Sequence, residues 1–92
     1  MATSKIQHLN GKKLIGSSSD LNDCTVEGIT YYIEGANVPV NAPEDNAYNA
    51  IIWIVKGNNY FVQYYASSNK DTVYYRFNTG SSWRSWKKVS FT

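Results

Sequence analysis

Cysteine and histidine each occur once in this 92-residue chain, as Cys24 and His8. A lone thiol can bridge only to another chain, so an internal disulfide framework is excluded. Neither residue has partners at ligand spacing, which argues against a zinc site, and His8 has no nucleophile pattern near it and reads as a surface residue. Charged residues are only 17% and the net charge is +2, too little to demand nucleic acid or a membrane surface as partner. No apolar run approaches a membrane span; Ile51 to Val55 is only five residues. Heptads, internal repeats and long helical patterns are missing as well. Met1-Ala-Thr-Ser-Lys5 has no hydrophobic signal region, so the expectation is synthesis in a cytoplasm, wherever the chain then works.

What the chain does have is aromatic surface: eight Tyr, three Trp and three Phe, 15% of its residues. A chain of this length forms one domain and is marginally stable without help. With disulfides and metal set aside, association between chains is the remaining aid. Fourteen aromatics exceed the needs of one small core, and Tyr and Trp favour positions with one dry and one wet end. The composition is that of an interface-heavy protein.

Along the chain, Asn10-Gly11 suits a hairpin turn or a simple bend, and Gly16-Ser-Ser-Ser19 a flexible joint. Ser19 to Asp23 has room for one helical turn. Strand signals begin at Ile29-Thr-Tyr-Tyr-Ile33, bounded by Gly28 and Gly35. A long loop from Ala36 to Tyr48 follows, in which Pro43-Glu44-Asp45 can start one helical turn. Ile51 to Val55, Tyr60 to Tyr65, Thr72 to Phe77 and Trp83 to Phe91 supply further strands. The expected fold is all-β: a small antiparallel meander of about five strands with long loops.

A two-residue turn at Gly57-Asn58 would place Trp53, Val55, Tyr60, Val62 and Tyr64 on one sheet face. The other face then carries Ile52, Ile54, Phe61, Gln63 and Tyr65. Both faces are apolar or aromatic, unlike a sheet with one solvated side. Something must therefore cover the second face, either the N-terminal third of the chain or another copy of it.

The most informative segment runs from Val73-Tyr-Tyr-Arg-Phe77 through Asn78-Thr-Gly-Ser-Ser82 to Trp83-Arg-Ser-Trp-Lys87. Upstream of it stand, in order, Asp20-Leu-Asn-Asp23, Gly28-Ile-Thr-Tyr-Tyr32, Asn41-Ala-Pro43, a hydrophobic strand ending near Gly57, and Val62-Gln-Tyr-Tyr65. This succession resembles the pyocin knob domain of phage and phage-like tail fibres over about four-fifths of the chain. The sequence departs from that pattern at Cys24-Thr-Val-Glu27 and in the acidic loop at Glu44-Asp45. The resemblance implies a β-rich homotrimer near the tip of a virion tail fibre, alongside other fibre modules and in contact with a bacterial cell-surface glycan or protein. Residues 19–92 would be the knob-like domain and residues 1–18 a linker or shaft remnant.

Trp83, with Arg84, Asn78 and the loop residue Tyr48, is the candidate ligand-binding set, because an indole face can stack on a sugar and the polar neighbours can add hydrogen bonds. Its competing reading is packing, with Arg76 laid across an indole ring. Trp53, Tyr60, Tyr64, Gln63, Tyr75, Arg76 and Trp86 are candidates for core or oligomer interface; buried polar groups such as Gln63 and Arg76 usually satisfy carbonyls or pair across a boundary. Arg84, Lys87 and Lys88 form a small basic patch, open to anionic glycans or simply to solvent. The carboxylates Asp20, Asp23, Glu27, Glu44 and Asp45 could in principle supply a glycosidase pair, but they lie in loops, and solvation or capping is the better account of them. No catalytic residue, metal or cofactor is expected. The leading reading is a non-enzymatic attachment module, against a purely structural trimerising module that ends the fibre.

Overall fold

The computed structural model describes residues 11–90. Their strands form one six-stranded sheet in the order β1 to β6: Lys12–Leu14, Thr30–Tyr32, Ala50–Lys56, Phe61–Ser67, Thr72–Asn78 and Lys87–Lys88. From β2 to β6 every neighbouring pair is antiparallel, as the turn spacing predicts. The sheet is nevertheless mixed, because β1 lies parallel to β2, with Lys12 opposite Thr30 and Leu14 opposite Tyr32. No helix among the described residues is long and apolar enough to cross a membrane.

β1 corrects the expected linker over residues 1–18 for its second half. Residues 12–14 are a strand, and Ile15 is buried in the core. The hairpin at Asn10-Gly11 and the surface placement of His8 involve residues outside the described ones. A parallel pair cannot be closed by a tight turn and needs a crossover of a dozen or more residues. That crossover, residues 15–29, covers one face of the sheet. It contains a single 3₁₀ turn, Leu21–Asp23, capped by the Asp20 carboxylate, which accepts from the Asn22 N–H at 2.9 Å.

The β3–β4 register sets Lys56 opposite Phe61 and Trp53 opposite Tyr64, leaving residues 57–60 as the loop. The two-residue Gly57-Asn58 turn is thus replaced by a longer one, closed by Gly57 N–H donating to the Tyr60 carbonyl at 2.8 Å. The pairing shifts by two residues relative to that expectation. A shift of two preserves the side-chain alternation, whereas a shift of one would invert it. The division of residues between the faces therefore stands for β3 and β4.

On the inner face, Ile52, Tyr65 and Tyr74, with Ile33 just after β2, pack with Leu21 and Cys24 from the crossover and Ala47 from the long loop. Each fully buried side chain of this size contributes about 1.5–3 kcal/mol. The long loop folds back over this face and is fixed there by Glu44, which accepts from the Tyr74 hydroxyl and pairs with Lys70 and Lys88 at 3.7 and 3.9 Å. Residues 44–47 make a turn rather than the expected helical turn, with Ala47 N–H bonded to the Glu44 carbonyl at 3.3 Å.

The outer face has no such cover among the described residues. Leu14, Ile51, Val55 and Phe77 are 58%, 49%, 47% and 40% exposed. Trp53 and Tyr64 stack at 5.1 Å on the same face, and Tyr75 meets Phe77 edge-on.

Candidate functional site

The site grows out of an irregularity between β5 and the last segment. Asn78 bridges to Trp83, and the Arg84 N–H donates to the Phe77 carbonyl at 2.8 Å. Two residues further along β5, however, Tyr75 pairs with Lys87. Ser85 and Trp86 together therefore face the single residue Arg76, which is a β-bulge. In a regular strand, residues three apart point to opposite faces. The bulge cancels that alternation, so Trp83 and Trp86 both turn to the inner face. The uninterrupted strand expected from Trp83 to Phe91 is replaced by a bridge, a bulge and the short β6, with Phe91 outside the described residues.

Between the two indoles lies Arg76. Its guanidinium carbon sits 3.9 Å from the Trp83 ring centroid and 4.7 Å from that of Trp86. Nε donates to the Gln63 side-chain oxygen at 2.8 Å, and Nη2 donates to the Asn22 side-chain oxygen at 2.9 Å. Gln63 in turn donates to the Leu21 and Cys24 carbonyls at 2.8 and 3.0 Å, tying the cation to the crossover. Arg76 is only 5% exposed. Burial lowers its pKa to about 10, so it remains a cation at neutral pH. Its compensation comes from π faces and neutral amides; among the described residues no carboxylate closes an ion pair with it.

Trp83 is half-buried, stacked on Arg76 and touching Phe61 edge-on at 5.2 Å. Trp86 packs edge-on against Tyr65, and its indole N–H donates to the Asn41 carbonyl at 2.8 Å. Above this stack opens a recess of about 470 Å³, whose walls include Asn22, Asn41, Arg84 and Ser85. The nearby Asp20 carboxylate is held below its ordinary pKa by the Asn22 N–H and the Asn41 amide. Gly80 enables the turn leading into Trp83: its φ of +105° belongs to glycine.

Of the sequence candidates, Trp83, Arg84 and Asn78 come together at this pole, joined by Arg76, Gln63 and Trp86 from below. Tyr48 does not join them. It lies by the β4–β5 turn, where its N–H donates to Asn69 and its carbonyl accepts from Ser67. Trp53, Tyr64 and Tyr75 lie on the outer face, and Tyr60, 54% exposed, sits in the β3–β4 loop over Gly57. Sequence reasoning missed Asn22, Asn41 and Ser85. Asn22 is 54 positions from its partner Arg76, and no local pattern announces such a contact. The bulge was signalled only by the two tryptophans at a spacing of three. Among the described residues no group of three or more His, Cys, Asp or Glu is placed to hold a metal ion.

The family model described as the XkdV N-terminal domain matches residues 3–89. No curated protein and no solved structure matches the chain.

Proposed function

The chain belongs to the XkdV N-terminal domain family and is a phage structural domain of tail or baseplate type; from that premise we propose that it is a non-enzymatic attachment module. In this reading it is a homotrimer in a virion tail fibre and holds a bacterial cell-surface glycan or protein. The resemblance of its Tyr75-Arg76 to Trp83-Arg-Ser-Trp86 segment to the pyocin knob supports a place near the fibre tip. The observation that carries the reading is the separation of two surfaces. A bare apolar sheet face suits association between copies, while the polar recess beside Asn78, Trp83 and Arg84 lies on the covered side. Three copies would turn weak single contacts into useful avidity.

Retention of labelled protein on a panel of bacterial cells tests this. The wild-type trimer should be retained on susceptible cells, and a folded monomeric variant should be washed off. A trimer that no cell retains overturns the attachment role and leaves the second reading, a structural module that assembles the fibre while a neighbour binds the host. One feature favours that second reading: Arg76 already covers a face of both Trp83 and Trp86, so these indoles serve the fold as well.

A further inference from the structure

The Arg76 guanidinium is a buried cation with one edge left over. Nε and Nη2 are bonded to Gln63 and Asn22, whereas Nη1 makes no hydrogen bond to a described residue. No buried side-chain nitrogen or oxygen among the described residues lacks a partner. Arg76 nonetheless lines the recess, so part of its side chain faces it.

Across the bulge lies a second shallow recess of about 370 Å³. It shares Arg76, Arg84 and Ser85 with the first and adds Lys87 and Thr79. Three cations thus border two adjoining recesses, and no carboxylate lines either of them. The Asp20 carboxylate, whose charge acts on Arg76, has Oδ1 engaged by the Asn22 N–H and the Asn41 amide, at 2.9 and 2.7 Å. It does not neutralise the guanidinium by contact. A cation without an ion-pair partner at the edge of a low-dielectric site binds an anion more strongly than a fully solvated one does.

The remaining groups narrow the ligand further. Asn22 keeps its amide N–H groups and Asn41 its side-chain oxygen free of bonds to described residues, a donor and an acceptor suited to hydroxyls. Trp83 and Trp86 add apolar surface in the first recess for the C–H faces of sugar rings. We infer that the bulge at Ser85–Trp86 forms a binding site for an anionic saccharide, one carrying a carboxylate or phosphate diester, with the anion held between Arg76 and Arg84. This inference rests on the attachment reading above and names the class of glycan it would recognise.

The test is an NMR titration of the full chain with three probes of equal length: an oligomer of glucuronic acid, one of glycerol phosphate, and a neutral glucose oligomer. The indole N–H signals of Trp83 and Trp86 report the site. At least one acidic probe should move these signals and bind about tenfold or more tighter than the neutral probe, since a charge-assisted hydrogen bond carries that much discrimination. The two acidic arms decide between carboxylate and phosphate diester. Arg84→Gln, at an exposed side chain, should weaken acidic binding about tenfold while leaving the Trp86 signal of the free protein in place. Added salt should weaken the wild type more than the variant.

Equal binding of acidic and neutral probes, an unchanged affinity in Arg84→Gln, shifts remote from both indoles, or no binding of any anionic probe each overturns the inference. If cells still retain the trimer in those cases, attachment survives and only the anionic class is wrong. Loss of cell retention together with probe binding removes both.

Discussion

Gln63 joins three parts of the chain through one carboxamide: it donates to the Leu21 and Cys24 carbonyls and accepts from Arg76 Nε. Replacing it by leucine keeps the bulk but leaves the Cys24 carbonyl and a guanidinium edge without partners, while the Leu21 carbonyl keeps the Cys24 N–H at 3.1 Å. Each buried orphan costs about 1–3 kcal/mol, so Gln63→Leu should lower stability by at least about 2 kcal/mol in urea unfolding. A loss below about 1 kcal/mol, the scale of an ordinary surface change, would contradict this arrangement. Cys24 gives a second residue-scale expectation. Burial raises its thiol pKa to about 11, and the thiolate is the reactive form. A disulfide reagent at neutral pH should leave it unmodified in the folded protein and react promptly in denaturant; fast reaction with native protein would refute its burial. Gln63 and Arg76 could be read from the sequence as structural, since polar residues in apolar strands need partners. The partners themselves could not, because Leu21, Asn22 and Cys24 reach them from the crossover by tertiary folding.

Among the elements, the long strands were readable because β-branched and aromatic runs between turn residues have few other conformations open to them. β1 was not. Lys12-Lys-Leu14 is short, exposed and unpatterned, and its strand identity comes from pairing with β2 rather than from its own residues. The bulge was equally opaque, since strict alternation places Trp83 and Trp86 on opposite faces. The long loop carries a pH expectation. Its anchor, Glu44, is held below the ordinary 4.5 chiefly by the Tyr74 hydroxyl, with help from Lys70 and Lys88. A carboxylate whose folded pKa is depressed adds stability above its unfolded value and loses it as pH falls through the folded one. The urea midpoint should therefore drop as pH falls through and below 4.5. Glu44→Gln should lower the midpoint at neutral pH and shrink that acid-limb decline. Equal decline in both proteins would mean that Glu44 does not anchor the loop.

At the scale of the whole molecule the sheet presents an imbalance that the described residues do not resolve. The inner face is covered by residues 15–29 and the long loop, while Leu14, Ile51, Val55 and Phe77 stand open on the outer face. Strands of two to seven residues, rising about 3.3 Å per residue and spaced about 4.8 Å apart, give a face of roughly 460 Å² before side-chain relief is counted. That already matches the largest apolar patch of a typical monomer and is more than half of the roughly 800 Å² per partner of a standard stable interface. Lys12 and Lys87 border the face and would repel their copies in a flush two-fold pairing, whereas a three-fold arrangement can spread them to the rim. The proposed trimer should hence appear in sedimentation at micromolar concentration. A double variant, Ile51→Glu with Val55→Glu, changes two exposed positions on this face and should yield monomers whose circular dichroism matches the wild type. A wild-type chain that sediments as a folded monomer would remove the trimer outright. A variant that stays trimeric would move the interface away from this face while leaving the oligomer in place.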